Sequence, residues 1–376
     1  MRLPLPFAVA ALRLASAVAA LRLTSAVAAL RFTSALTAML LTSCSSETVE
    51  QPPPAPVNWQ SLLAHAAYDA GPNAPTANER AVAEAYAAAL ASPGFAPLGS
   101  HLDDDAHFSF PGLDDAHGRD PIVYAHEVLL GAFDHRNVTT SRVLRTSSEQ
   151  TVEWTMTGVH ERPWMDIAAT HKPVTINGLA LLWTKDDGSI TDVHLYFDVA
   201  VVKAQLGIGP KELLNLTKHT SLASGDSTPS VASLVVEQVG LADEKFNVAL
   251  ARASLDALEN NNRAAYEATM SDNVEIHTLE RAQPWRGKAD ANAYFKAMHK
   301  AIGQLDTTLT DAWGIGPFAV LEYTIAGEQL GPIGWIPAQR DKAVRFHIVD
   351  VVEVAGEKIA RVWRYDNPAE VVARPL

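Results

Sequence analysis

Two stretches of the chain run through the same succession of hydrophobic patterns. In the later one, Phe246, Leu250, Ala253 and Ala257 fall along one face of a helix over 245–260, which Asn260–Asn262 can close. A short helix over 263–270 and a strand over 274–279 follow, and Gly287 precedes a helix over 288–302. Three β-rich runs come next, over 307–313, 318–327 and 342–354. Ala355-Gly356-Glu357 then turns the chain into a last strand over 359–365. The earlier stretch predicts a helix over 79–91, a short strand near 107–110 and a helix over 120–133. Strands near 139–145, 151–160, 174–184 and 190–198 complete it, with Asp186-Asp187-Gly188 as the hairpin turn.

The two stretches also align without gaps when residue i is set against residue i + 169. Over 153–202 this pairs Glu153 with Glu322, Gly158 with Gly327, Pro163 with Pro332, Val193 with Val362 and Tyr196 with Tyr365. Trp154 falls opposite Tyr323, and His194 opposite Trp363. A duplicated domain explains both the order and the offset. Helices first and an antiparallel sheet afterwards make each copy α+β. The copies are expected at 78–210 and 245–376. Between them, 211–244 forms a Ser/Thr-rich linker holding Gly225 and Pro229, with 231–239 leading into the next helix.

Residues 1–43 differ from the rest. They contain no acidic residue and four arginines, and a nine-residue unit recurs from Ala8 onward, too short for a packing repeat. Phe32–Leu41 is an uncharged apolar run of signal-peptide size, too short to span a bilayer. It ends in Leu41-Thr42-Ser43-Cys44, which resembles a bacterial lipobox. That resemblance implies a signal peptide over 1–43 and lipidation of Cys44, with attachment through acyl chains. Ser45 after the cysteine leans towards the outer membrane of the cell envelope. The segment 44–77, with Pro52, Pro53 and Pro54, reads as an extended tether.

The end of the first copy is the most distinctive part of the sequence. Asp187-Gly188-Ser189-Ile190, Val193-His194-Leu195-Tyr196-Phe197-Asp198 and Gln205-Leu206-Gly207 together resemble the SnoaL-like group of polyketide cyclases and ester cyclases, within the nuclear transport factor 2-like superfamily. The second copy keeps Ile359 and Val362-Trp363-Arg364-Tyr365-Asp366 but has no Gln-Leu-Gly. The resemblance implies two tandem cone-shaped domains, each a curved antiparallel sheet wrapped on N-terminal helices around an apolar pocket. Because relatives of this fold pair through their sheets, it also implies an intramolecular pseudo-dimer.

Strand alternation puts His194, Tyr196 and Asp198 on one face of the last strand of the first copy, and Val193, Leu195 and Phe197 on the other. If the first face lines the cone, an imidazole, a phenol and a carboxylate meet in one apolar cavity. That set suits general acid–base work. The resemblance implies that Asp198 is the acid/base, with His194 and Tyr196 beside it. Trp154, Trp183, Tyr323, Trp363, Tyr365 and Asp366 are the candidate ligand-binding wall. In the second copy Asn367 stands where Asp198 does in the first, and Asp366 has the opposite parity. Glu153 and Glu322 are either pocket carboxylates or partners for Lys or Arg. The apolar loop Gly331–Pro337 is either a lid or a domain contact.

Composition narrows the functions. Thirty basic residues against forty-three acidic give a net charge of −13, which argues against a nucleic-acid partner. The one cysteine excludes an internal disulfide and any Cys-rich metal site. No metal is expected, because His101, His107 and His117 lie among Asp103–Asp105 and Asp114–Asp115 without a ligand spacing on a regular element. No G-x-S-x-G, G-x-G-x-x-G or P-loop occurs, so no cofactor is expected. The sequence thus predicts an envelope lipoprotein with tandem SnoaL-like domains that binds a small apolar ligand. Cofactor-free acid–base chemistry of a cyclase, isomerase or lyase type would sit in the first domain. The alternative is a non-catalytic ligand-binding or protein-docking module.

Overall fold

The computed structural model describes residues 77–208, 234–240, 242–281, 283–339 and 342–373. The expected signal peptide, Cys44 and the tether lie outside the described residues, save Ala77, which opens the first helix. The first domain opens with helices α1 (Ala77–Ala91) and α2 (Ala96–Gly99), then strands β1 (Leu102–Ser109) and β2 (Ala116–His117) and helix α3 (Arg119–Leu130). Strands β3 (Phe133–Arg145), β4 (Glu149–His160), β5 (Pro173–Thr184) and β6 (Ile190–Tyr196) form its sheet, and α4 (Val199–Gln205) follows. The chain then adds β7 (Leu234–Glu237). The second domain repeats the series: α5 (Ala242–Glu259), α6 (Arg263–Thr269), β8 (Met270–Thr278), β9 (Trp285–Arg286), α7 (Gly287–Ala301), β10 (Ile302–Ile315), β11 (Phe318–Gln329), β12 (Lys342–Ala355), β13 (Lys358–Asp366) and α8 (Glu370–Ala373).

The sheets are ordered β2-β1-β6-β5-β4-β3-β7 and β10-β11-β12-β13-β8-β9. The long strands are antiparallel, as expected, but β1–β6 and β8–β13 pair in parallel, so each sheet is mixed. One segment differs from the sequence reading. Part of 231–239, read there as leading into a helix, is β7, which extends the edge of the first sheet in parallel with β3. Among the described residues no helix is long and apolar enough to cross a membrane.

The duplication reaches into irregular detail. β3 slips register against β4 between Asp134 and Asn137 and again between Thr140 and Arg142. β10 slips against β11 between Gly303 and Asp306 and between Leu309 and Asp311, the same places shifted by 169. His135 and Gln304, at the first of these bulges, both adopt positive φ, 56° and 51°. The isolated bridge Trp164↔Ile167 recurs as Ile333↔Ile336.

Each sheet is covered on both faces over its central strands, while the first halves of β3 and β10 keep exposed positions such as Asn137, Thr139, Thr308 and Thr310. One face packs on its own helices, giving one core with Val193, Leu195 and Phe197 and a second with Val362, Ile348 and Tyr323. The other faces meet each other, and Leu179, Leu181, Tyr196, Trp313, Val320, Val351, Trp363 and Tyr365 form a third buried cluster drawn from both domains. Two-sided burial explains the unbroken apolar run at Leu179–Leu182 and the valines on either side of Asp350 in β12. The Gly331–Pro337 loop buries Ile333 and Ile336 in its own core and sets Trp335 against Ala200 and Ala204 of α4, so it is a domain contact.

Candidate functional site

The insides of the two cones differ at equivalent ladder positions. In the first, Ala180 lies opposite Leu195, and Trp154 and Phe197 pack beside them with ring centroids 6.4 Å apart. Gly178 accommodates Trp154: a Cβ there would come within 2.3 Å of the indole. The polar groups in that core include Tyr86 and His126, which bond to each other at 3.1 Å while His126 Nδ1 engages the Ile122 carbonyl at 2.9 Å. Burial lowers His126 to about 4, so the imidazole is neutral.

In the second cone, Asp350 lies opposite Arg364. Arg364 donates from Nε to Asp350 Oδ1 at 2.8 Å and from Nη2 to Oδ2 at 2.7 Å. The Tyr323 hydroxyl donates to Asp350 Oδ2 at 2.7 Å and sits 2.5 Å from Arg364 Nη2. Burial raises Asp350 to about 7, against the hydrogen bond from Tyr323, which favours the ionised form. A cavity adjoins this network. Its walls are Leu255, Leu258, Ile276, Leu321 and Val362, with Ser254, Tyr294, Asp350 and Arg364 supplying polar groups. The empty space, counted out to solvent, is about 430 Å³, but the centre of a water molecule can roam only about 30 Å³ of it. That suits a small ligand or a few waters, not a multi-ring one. The Tyr294 hydroxyl is buried without a hydrogen-bond partner, so the cavity contains a free polar group.

The structure corrects the face assignment made from alternation. Val193, Leu195 and Phe197 point into the first cone, whereas His194 and Tyr196 point at the second domain. The Glu322 carboxylate receives both: Tyr196 Oη donates to its Oε1 at 2.6 Å, and His194 Nδ1 lies 2.6 Å from the same oxygen. Burial opposes charge on His194, but the hydrogen bond and charge of Glu322 raise the imidazole above its ordinary value. Asp198 does not share that face. It is the N-cap of α4, accepting from the Ala200 and Val201 amides at 2.7 and 3.4 Å. Its Oδ2 is buried without a partner, and burial together with Glu280 raises the carboxyl to about 7.

The candidate wall residues are divided in the same way. Trp154 fills the first cone and Tyr323 belongs to the second. Trp183, Trp363 and Tyr365 lie between the sheets. Trp183 faces Trp313 with centroids 6.0 Å apart. Tyr365 Oη donates to Glu153 Oε1 at 2.6 Å, and Trp363 lies under Arg142, whose guanidinium is 3.8 Å from its ring centre. Arg142 pairs with Glu153 inside this layer, Nη2 to Oε1 at 2.7 Å and Nε to Oε2. Asp366 is buried, and burial with the nearby Glu280 and Asp198 carboxylates raises it well above the carboxylate range.

Sequence reasoning missed Asp350, Arg364 and Tyr294 as a set. The available signal was a charged residue in each of two apolar strands, Asp350 in Val349–Val352 and Arg364 beside Trp363. It also missed that His107, Asp192 and His194 come together across two strands, with one ligating atom from each within 4.8 Å of the others.

Comparison with known proteins agrees with this architecture. Residues 80–206 match the family model for SnoaL-like polyketide cyclases, and residues 251–362 match that for the SnoaL-like domain. No curated protein matches the chain. Similar solved structures include a protein from Jannaschia sp. CCS1 described as a SnoaL-like polyketide cyclase. It is 17% identical, with 36% of this chain and 97% of that one covered and a TM-score of 0.32. A protein of ketosteroid isomerase-like fold from Catenulispora acidiphila DSM 44928 is 15% identical, covering 34% and 91% with a TM-score of 0.30. An M. tuberculosis LEH-like epoxide hydrolase is 18% identical, covering 35% and 89% with a TM-score of 0.29. With its two matched segments, its repeated order of elements and its two curved open sheets, this chain carries two SnoaL-like domains in tandem.

Proposed function

We propose that the second SnoaL-like domain binds a small, largely apolar molecule with a hydrogen-bond acceptor such as a carbonyl, and that the first domain is its structural partner. One observation carries this reading. Where the first cone has Ala180, Leu195 and Trp154, the second has Asp350, Arg364 and Tyr323, and the cavity lies beside them. Tyr294 supplies a free hydroxyl to orient the acceptor, and the aliphatic wall holds the remainder by burial. A thermal-shift screen of small ketones, lactones and esters tests the proposal. Hits should stabilise the native chain and not Ser254→Leu, which fills the cavity; hits that stabilise both equally would refute it.

The position of Asp350 favours a second reading of the same cavity. A carboxyl raised to about 7 beside a bound carbonyl compound is suited to cofactor-free proton transfer of the cyclase, isomerase or lyase kind. Turnover of a bound compound that is lost in Asp350→Asn, while binding persists, would establish it.

We further propose that the chain is an envelope lipoprotein anchored through Cys44, on the strength of Leu41-Thr42-Ser43-Cys44. Membrane fractionation of Cys44→Ser checks this: release into the soluble fraction is expected, and continued membrane association would contradict the anchor. The mature charge is strongly negative, so attachment by anionic lipid alone is disfavoured.

A further inference from the structure

His107 of β1 and Asp192 of β6 are direct partners in the parallel ladder, and His194 lies two residues further along β6 on the same face. The three side chains are half-buried, with exposures of 27%, 40% and 19%, so an ion from solvent can reach them. We propose that His107, Asp192 and His194 form a binding site for a divalent transition metal of the Zn²⁺ class, separate from the cavity of the second domain.

The distances favour a shared cation over a direct hydrogen bond. His107 Nδ1 lies 3.5 Å from Asp192 Oδ1, long for a hydrogen bond. Two ligands at about 2.1 Å in a tetrahedral sphere stand roughly 3.4 Å apart. All three ligating atoms lie within 4.8 Å of one another, so side-chain rotation closes the remainder without moving the strands. Two imidazoles and a carboxylate suit Zn²⁺, with a fourth position for water or another side chain.

The surroundings of His194 have the arrangement of a supported metal site. His194 Nδ1 is held by Glu322 Oε1 at 2.6 Å, which leaves Nε2 as its free nitrogen. His107 presents Nδ1 to Asp192 and has Asp115 Oδ2 3.6 Å from Nε2. His194 thus has a carboxylate bonded at the nitrogen that does not ligate, a pairing that fixes its ring orientation, while Asp115 lies farther from His107. His117 stands beside His107, ring centroids 4.8 Å apart. Trp183 shields one side, 4.6 Å from the His194 ring. Glu322 belongs to the other domain, so metal binding here would also depend on the interface between the two domains.

The test is calorimetric titration of the untagged, metal-stripped full chain with Zn²⁺, repeated for Asp192→Asn and His107→Gln. Both positions are partly exposed, so neither change opens a core. One Zn²⁺ per chain is expected, with affinity reduced at least tenfold in each variant and 10- to 100-fold in Glu322→Gln, where only the support is altered. Co²⁺ substituted for Zn²⁺ should give visible ligand-field bands that disappear in Asp192→Asn, a readout that folding alone does not move. No saturable binding to the native chain, or binding unchanged in both ligand variants, would overturn the proposal.

Discussion

The Tyr196 hydroxyl donates to Glu322 across the domain boundary, and its counterpart Tyr365 donates to Glu153 in the opposite direction, each at 2.6 Å. Both pairs are buried between the sheets. The exchange is that of a two-fold dimer, in which residue i meets j and j meets i. The surroundings have diverged: Glu153 is ion-paired to Arg142, while Glu322 receives His194.

Removing one member of the Arg142–Glu153 pair should be costly. Arg142→Met leaves a buried carboxylate with Tyr365 as its one donor among the described residues, and about 3–5 kcal/mol of stability should be lost. Chemical denaturation measures this. Adding Glu153→Gln to Arg142→Met should recover part of the loss, since the uncompensated charge is then gone.

The reciprocal interface also predicts the assembly state. The sheet face of each domain is already covered by the other within the chain, so the protein should be a monomer by light scattering. A stable dimer would contradict that expectation.

Asp198 predicts a pH dependence. Its carboxyl is raised from an ordinary 3.8 to about 7 in the folded state, with burial as the main cause and the nearby Glu280 charge adding to it. The folded chain therefore keeps a proton that the unfolded chain releases as the pH rises from about 4 to 7. The stabilisation is fully present below about 4 and lost by about 7. Asp198→Asn keeps an oxygen to cap α4 but cannot ionise. Melting temperatures should show the variant gaining on the native protein as pH rises through this window, with little difference at pH 4.

Trp154 should be the plug of the first cone. Trp154→Ala should cost about 3–5 kcal/mol and leave a cavity beside Phe197 and Gly178. Xenon or benzene should then bind the variant at a site absent from the native chain, visible as a ligand-dependent rise in melting temperature.

Much of the fold was legible in the sequence because the duplication preserved register. Pairing residues 169 apart located both copies of nearly every element, and the offset holds even for the bulges at Thr140/Arg142 and Leu309/Asp311. What the sequence concealed was which face of each strand points inward. Alternation distinguishes a core face from a wet one, but these sheets have no wet face in their central strands, so Val193-Leu195-Phe197 and His194-Tyr196 were equally eligible to line the cone. The His107–Asp192–His194 grouping was concealed for another reason. It depends on a parallel pairing of β1 with β6, which no linear spacing of histidines reports.

The central claim is that the second cone holds the ligand and the first is closed. Nondenaturing mass spectrometry of the native chain incubated with the hits of the carbonyl screen tests it most directly. One bound molecule per chain should be seen, lost on Ser254→Leu and weakened by Arg364→Met. No bound molecule, or one that persists when Ser254→Leu fills the second cavity, would contradict the account.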